Sequence, residues 1–213
     1  MESVVKDVGI EALGKSAMPQ LLELFTGIFH PYIPPITDTP RKTKAVMRAI
    51  LEFYGRAKGA FFNGIRKDAK LTCAALVVDT NDKPSFFALA RLGLSLAWTL
   101  GLDAVGRMTV IHTAKPKYED GFAELIILGT ARDCQKQGLG RRIMDHIYER
   151  SRAEGFDKGV VLFVDKNTPA FDFYLREGFT MDREFKVDIG DVTLCWMSKR
   201  WSSLPIVNHI RLG

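Results

Sequence analysis

The order of predicted secondary-structure elements in the second half of the chain constrains the fold more than any other sequence feature. Short apolar runs bounded by turn residues predict strands, and apolar residues at helical spacing predict helices. In chain order, the predicted elements are a strand over 123–130, a helix over 138–154, a strand over 159–165, a short helix over 168–177, and two strands over 179–188 and 191–201. Pro169 falls in the first turn of the short helix and Gly178 follows its end. This half of the chain is therefore predicted to alternate strands with helices before it closes on a strand pair.

The first half of the chain carries weaker patterns. They predict an apolar helix that starts after Ser16 and stops at His30, a helix over 43–54, strands over 60–64 and 71–79, and mostly helical structure over 85–112. Gly93, Gly101 and Gly106 leave open whether the last segment is one interrupted helix or two short ones. Its apolar residues predict packing in the core or a wall of a substrate pocket.

Composition excludes several classes of protein. With 213 residues, of which 46% are apolar, the chain can bury one sizeable core, and we expect a single domain over residues 1–213. The net charge of +5 comes from 30 basic and 25 acidic residues spread along the chain, unlike the clustered basic surface of a nucleic-acid-binding protein. The longest apolar stretch, residues 92–102, is too short to span a bilayer.

The cysteines and the N-terminal residues indicate the cellular compartment. Cys73, Cys134 and Cys195 are odd in number and far apart, so they predict neither a disulfide framework nor a zinc site. The first residues contain no apolar segment of the kind found in secretion signals. We therefore expect a cytoplasmic protein with no metal ion and with neither a membrane nor a nucleic-acid partner. Whether it forms a homodimer is left open.

A glycine-containing turn over residues 135–141 joins a predicted strand to a predicted helix. A helix start leaves backbone N–H groups unpaired and carries positive potential, which favours an anion. Gly138 and Gly140 lack a Cβ atom and let a phosphate approach the backbone, while Lys136 and Arg141 add positive charge. The turn lacks the Walker A pattern, and Ile143 replaces the third glycine of a dinucleotide-binding loop. The residues alone predict a phosphate or pyrophosphate site, with a close-packed helix entry as the alternative.

A second motif, downstream of this turn, identifies a family resemblance. Gln135, Gly138 and Gly140 match the [QR]-x-x-G-x-[GA] acetyl-CoA loop of the GCN5-related N-acetyltransferase (GNAT) superfamily. The later pattern of that family, an Asn after a strand followed by A-x-x-F-Y-x-x-x-G-F, is matched by Asn167, Ala170, Phe173, Tyr174, Gly178 and Phe179. The two motifs occur in the family's order and spacing. The chain therefore resembles this superfamily, best over residues 122–201.

The resemblance implies both the fold and the co-substrate. The fold is an α/β (α+β) arrangement with a mixed central sheet flanked by helices, and 85–112 is a helical insertion between the third and fourth strands. The co-substrate is acetyl-CoA, which in the family lies where two neighbouring parallel strands splay apart, here 123–130 and 159–165. The implied contacts are the backbone of Leu128, Gly129 and Thr130, the loop Gln135, Lys136, Gln137, Gly138, Leu139, Gly140 and Arg141, and the side chains of Asn167 and Phe171. One of the strand amides is also expected to stabilise the oxyanion of acyl transfer.

The resemblance also suggests two catalytic groups. Tyr174 stands at the family's usual position for the acid that protonates the departing CoA thiolate, and the alternative is a packed helix tyrosine. Glu124 lies in a segment, residues 123–126, similar to the one that carries the glutamate base of the family's histone acetyltransferases. As alternatives, Glu124 faces solvent or pairs with Arg132 or Lys136, and a chain of water molecules removes the proton.

The implied activity is acetyl transfer to a primary amine by direct attack on the thioester. The apolar insertion favours a small-molecule acceptor over a polypeptide, which would need an open acidic groove. A protein or peptide amine is the next alternative. A regulatory module that binds acyl-CoA without turnover is the alternative from a different functional class.

Overall fold

A seven-stranded mixed sheet forms the centre of the computed structural model, which describes residues 9–30, 39–57, 59–82, 85–101, 115–186 and 193–201. The strands are β1 (Ile10–Ala12), β2 (Phe61–Lys67), β3 (Lys70–Asp79), β4 (Phe122–Thr130), β5 (Gly159–Asp165), β6 (Thr180–Lys186) and β7 (Thr193–Arg200). Their order across the sheet is β1-β2-β3-β4-β5-β7-β6. Among these strands, β4 and β5 are parallel and the other neighbouring pairs are antiparallel. The predicted mixed sheet is confirmed.

Five helices flank the sheet in the described residues. They are α1 (Met18–Phe29), α2 (Pro40–Tyr54), α3 (Phe86–Leu100), α4 (Leu139–Ala153) and α5 (Pro169–Arg176). The predicted insertion between β3 and β4 therefore includes one helix, α3, whose first turn is capped by Ser85 Oγ accepting from the Ala88 N–H. Residues 102–112 of that predicted helical segment lie outside the described residues.

Two element boundaries differ from the predicted ones for local chemical reasons. Helix α2 begins at Pro40 rather than at residue 43, because Thr39 Oγ1 accepts a hydrogen bond from the Lys42 N–H and caps the helix there. Strand β2 continues to Lys67 rather than ending at residue 64, because the hairpin turn consists only of Asp68 and Ala69. Both turn residues have positive φ, 51° and 64°, as a two-residue turn between twisted strands requires.

Separate apolar cores lie on the two faces of the sheet. One core lies between the sheet and helices α4 and α5, and its fully buried members include Ile143 and Ile147 of α4 and Leu162 of β5. The other lies between the sheet and helices α1, α2 and α3, with Phe25 and Leu51 at its centre. Because side chains alternate along a strand, the central strands β3 and β4 contribute residues to both cores. None of the helices in the described ranges combines the length and apolar character needed to cross a membrane.

Candidate functional site

Strands β4 and β5 pair over only part of their length. Their register runs from Phe122 opposite Gly159 to Leu125 opposite Leu162, and residues 126–130 of β4 have no partner on β5. On its other edge, β5 stays paired with β7 as far as Asp165. A bulge marks the start of the divergence, since Leu76 of β3 lies opposite Ile127 whereas its neighbour Val77 lies opposite Leu125. A bulge bends its strand, and here the bent strand is β4.

The divergence leaves backbone hydrogen-bonding groups available along one edge of β4. Five strand residues, 126–130, span about 16 Å. Backbone N–H and C=O groups buried without partners are costly, so such an edge favours a ligand that supplies the missing bonds. An extended chain molecule does this by adding itself like a strand. This segment, which pairs with β3 but not with β5, contains the three residues predicted to contact the co-substrate, Leu128, Gly129 and Thr130.

The predicted phosphate loop lies at the open end of the gap. Gly138 has φ 79° at the N-cap of α4, a conformation in which a side chain would be strained, and Lys136 also has positive φ, 59°. No side chain in the described part of the chain caps α4. The backbone N–H of Arg142 donates to Gly138 O, which is the first hydrogen bond of the helix. The amides of the preceding first-turn residues are therefore left for an external acceptor, with the positive end of the helix dipole behind them.

The loop side chains divide into those that brace the loop and those that extend from it. Gln135 Nε2 donates to Thr130 O at 3.2 Å, and Gln137 Nε2 donates to Asp133 O at 3.2 Å. Lys136 and Arg141 are exposed and add positive charge around the helix start. Leu139 is buried in the α4 core and anchors the first turn. An anion at this site would therefore be held by backbone amides and by the flexible cations.

The second motif lies beside the loop, at the carboxyl end of β5. Asp165 organises the turn, because its Oδ1 accepts from the Asn167 N–H at 3.0 Å and its backbone oxygen accepts from Thr168 Oγ1 at 2.7 Å. Asn167 is exposed and Phe171 packs partly buried against the α4 core. The ring of Phe173 on α5 lies 3.6 Å from where a Cβ atom of Gly140 would be, so α5 packs beside the first turn of α4. The fold thus brings both sequence motifs to one end of the β4–β5 gap.

Tyr174 is buried on the α4 side of the sheet, with 7% of its surface exposed. The rings of Phe173 and Phe179 pack against it at centroid distances of 5.2 and 5.5 Å. Burial, and to a smaller extent the nearby Cys73 thiol, raise the pKa of Tyr174 well above its ordinary value. The phenol is therefore protonated throughout the neutral range and can act as a proton donor.

Glu124 lies on the opposite face, because its neighbours Ala123 and Leu125 belong to the α4 core. Its exposed fraction is 7%, and its Oε2 accepts from Lys115 Nζ at 2.5 Å and from Thr80 Oγ1 at 3.4 Å. The sequence left solvent exposure or pairing with Arg132 or Lys136 as alternatives for this carboxylate, and both are wrong. The sequence did not predict Lys115 as the partner. Lys115 lies nine positions before Glu124 and belongs to no recognised motif, so nothing in the sequence connects the two residues.

Aromatic side chains surround the Glu124–Lys115 ion pair. Lys115 Nζ lies 5.6 Å from the centre of the Trp196 ring, and Tyr118 packs on the same indole at 6.4 Å. Burial, reinforced by the charge of Glu124, raises the pKa of Tyr54 to about 12.

The Glu124 carboxylate lies near the end of the gap where β4 and β5 still pair, whereas the predicted phosphate loop lies at the open end. In the described part of the chain, no three His, Cys, Asp or Glu side chains are arranged to hold a metal ion.

Comparison with known proteins places this geometry in context. The acetyltransferase (GNAT) family model matches residues 65–179, more than half of the chain. No curated protein matches the chain in sequence.

Solved structures match over nearly the whole chain. The PaiA N-acetyltransferase from Thermoplasma acidophilum, solved in complex with coenzyme A, has a TM-score of 0.58 and 14% identity over 91% of this chain and 99% of its own. A Corynebacterium glutamicum protein, described as histone acetyltransferase HPA2 and related acetyltransferase, has a TM-score of 0.61 and 18% identity over 94% and 99%. The ribosomal-protein-alanine N-acetyltransferase from Brucella melitensis has a TM-score of 0.58 and 12% identity over 91% and 100%. At these identities the shared feature is the fold.

Proposed function

The chain belongs to the acetyltransferase (GNAT) family, and on this premise we propose that it transfers an acetyl group from acetyl-CoA to a primary amine. The observation that carries the proposal is the gap between β4 and β5, which ends at the uncapped first turn of α4. An unpaired strand edge suits the amide-containing arm of coenzyme A, and a helix start with adjacent cations suits its pyrophosphate.

The proposed binding residues follow the length of the gap. The backbone of Leu128, Gly129 and Thr130 would bond the extended arm along β4. The turn Gln135, Lys136, Gln137, Gly138, Leu139, Gly140 and Arg141 would hold the pyrophosphate through its amides and the charges of Lys136 and Arg141. Asn167 and Phe171 would contact the arm from the β5 side.

The proposed proton transfers involve Glu124 and Tyr174 on opposite faces of the sheet. An alkylamine with a pKa of about 10.4 is mostly protonated at neutral pH and must lose a proton before it attacks. Glu124 would accept that proton, directly or through water, and its ion pair with Lys115 favours the ionised form that a base requires. When bound, acetyl-CoA supplies the thioester whose carbonyl carbon gains the N–C bond as the C–S bond breaks. Tyr174 would donate its proton to the departing sulfur, and the nitrogen would lose its second proton as the amide forms, which restores the Tyr174 hydroxyl through water.

The acceptor is proposed to be a small-molecule amine. The aromatic surroundings of Glu124, from Tyr118 and Trp196, suit a compact apolar group beside the amine. A protein or peptide amine is the alternative acceptor, and a module that binds acyl-CoA without turnover is the alternative function. Release of free thiol in the presence of an amine separates an enzyme from a binding module.

The binding site is tested by thermal shift and calorimetric titration with coenzyme A and acetyl-CoA. Both are expected to raise the Tm, because a ligand that binds the folded state stabilises it by mass action. Arg141→Gln is expected to weaken binding, and Arg141→Glu to weaken it by about tenfold or more, since a hydrogen bond to a charged group contributes about 1.5–3 kcal/mol. Both substitutions should leave folding intact, because Arg141 is exposed and glutamate is favourable in a first helical turn.

A matched control makes this test specific to the proposed site. Arg41 is also an exposed arginine in the first turn of a helix, α2, so Arg41→Glu makes the same charge change elsewhere. The control is expected to keep the affinity of the unmodified protein. Equal loss in both variants would mean that net charge, rather than the α4 turn, governs binding. No Tm increase with either ligand would remove the proposal.

A further inference from the structure

Lys115 is the cation in contact with Glu124, and it is held there by more than the ion pair. We propose that Lys115 is a positioning residue, which fixes the Glu124 carboxylate in place by a buried ion pair and supplies the positive charge that offsets its burial. The inference rests on the proposed function, since it takes Glu124 as the group that deprotonates the acceptor.

The geometry fixes the ammonium group on two sides. Lys115 Nζ donates to Glu124 Oε2 at 2.5 Å and to the backbone oxygen of Thr80 at 2.9 Å. Thr80 is itself tied to β4, because its N–H donates to Phe122 O at 3.3 Å. Its hydroxyl donates to the same carboxylate oxygen that Lys115 contacts, Glu124 Oε2. The two residues therefore hold that oxygen of Glu124 in a fixed position.

Burial makes this ion pair different from the others in the described residues. The side chains of Lys115 and Glu124 are 18% and 10% exposed, whereas the pair between Arg200 and Glu119 is 60% and 56% exposed. Exposed ion pairs are screened by water and contribute little. A buried carboxylate without its partner cation is strongly disfavoured. The charge state of Glu124 therefore depends on Lys115 far more than surface carboxylates depend on theirs.

Among the residues that the structure describes, the other groups around Glu124 do not replace that cation. Tyr54 on α2 and Tyr118 carry phenols that stay neutral, because burial raises the pKa of each and the charge of Glu124 raises both further. Thr80 at the end of β3 is uncharged, and Trp196 on β7 presents an aromatic ring to the ammonium. The charge of Arg200 acts to lower the pKa of Tyr118. The Arg200 side chain itself is exposed, stacks on the Phe122 ring and pairs with Glu119. Removing the Lys115 charge would thus leave Glu124 buried with neutral contacts.

The pH dependence of acetyl transfer tests the role of Lys115. A base that must be ionised produces an acidic limb in the pH profile of kcat/KM. An adjacent opposite charge lowers a carboxyl pKa by about one to three units, so Lys115→Met is expected to move this limb to higher pH by about one unit or more. Lys115→Arg keeps the charge and is expected to keep the limb near its original position. All profiles use the same acceptor amine, so the titration of the amine is common to them.

Three further variants separate the possible failures. Glu124→Gln is expected to remove the part of the acidic limb that Glu124 causes and to leave the part that comes from titration of the amine. The double variant Glu124→Gln/Lys115→Met, which buries no unpaired charge, should fold and show no further change. Lys158→Met removes a lysine from an exposed pair with Glu119 and should leave the profile unchanged.

The outcomes then distinguish the two proposals. If the pH profile of Glu124→Gln has the same shape as that of the unmodified protein, Glu124 is not the base and the proposed mechanism fails at that step. If Glu124→Gln removes its part of the limb but Lys115→Met, folded by circular dichroism, leaves the limb in place, the Lys115 inference alone is overturned. If Lys115→Met does not fold, Lys115→Arg decides the outcome. An acidic limb that moves by about one pH unit in Lys115→Arg contradicts the inference, and a limb that stays in place supports it.

Discussion

At the scale of single residues, the candidate site contains two buried ionisable side chains stabilised in opposite ways. Tyr174 is surrounded by aromatic rings, which favours its neutral form. Glu124 is buried beside an ammonium group, which favours its charged form. The proposed proton donor is therefore held among aromatic rings, and the proposed proton acceptor is held beside a cation.

Replacement of Tyr174 by phenylalanine tests the donor. Tyr174→Phe removes one hydroxyl and keeps the packing, so we expect a folded protein whose kcat falls by about 100-fold, a value at the lower end for general acid catalysis. Steady-state thiol release with the best acceptor measures it. Tyr148→Phe is the matched control, because Tyr148 is also a helix tyrosine with 7% exposure and its hydroxyl has no hydrogen-bond partner among the described residues. A Tyr174→Phe variant with full kcat would exclude the acid role.

At the scale of secondary-structure elements, the shape of the gap depends on β5 keeping its pairing with β7 while it diverges from β4. Gly159 begins β5 and faces the backbone of β7 at very close range. A Cβ atom at Gly159 would lie 2.2 Å from Lys199 O and 2.8 Å from a ring carbon of Phe122. A side chain at this position must therefore move a backbone strand.

We expect Gly159→Ala to destabilise the protein by about 2 kcal/mol or more, because the clash is with backbone and cannot be relieved by a rotamer change. Urea unfolding, followed by circular dichroism, gives the free energy. Gly27→Ala is the control, since Gly27 is exposed within α1 and has nothing within 4 Å of its added Cβ. It should stabilise the protein by up to about 1 kcal/mol. Equal stabilities for the two variants would contradict the close approach at Gly159.

At the scale of the whole molecule, the sheet buries tyrosines on α4 and α5 in one core, and this makes stability depend on alkaline pH. Burial raises the pKa of Tyr148 and Tyr174 above the ordinary value of about 10. In the unfolded chain these phenols lose their protons near pH 10, whereas in the folded chain they keep them. Above that pH the folded state binds more protons than the unfolded state, so stability falls as pH rises.

The expected loss is up to about 1.4 kcal/mol per pH unit for each such tyrosine, starting near pH 10. Urea unfolding between about pH 8 and about pH 11 measures the slope, and absorbance of tyrosinate reports the ionisation. Tyr148→Phe is expected to leave stability nearly unchanged at neutral pH and to make the alkaline fall less steep. An identical slope in the variant would show that Tyr148 ionises normally in the folded protein.

Much of the fold follows from local patterns that the sequence carries. The apolar periodicity predicts the five helices and most of the strands, because burial of one face requires that spacing whatever the partner. The boundaries at residues 40 and 67 differ because a capping hydroxyl and a two-residue turn decide them. The two motifs around Gly138 and Asn167 also predict the phosphate turn and its neighbouring strand end, since a glycine at positive φ and a helix start are local requirements.

Tertiary structure alone decided how these parts act together. The sequence does not state that β4 and β5 separate after Leu125, because divergence depends on a bulge opposite β3 and on the pairing of β5 with β7. Nor does it pair Glu124 with Lys115, since electrostatic partners are chosen by proximity after folding and not by spacing along the chain. Local sequence therefore determined the elements and the turn proposed to bind an anion, whereas long-range packing determined the gap and the partner of the buried carboxylate.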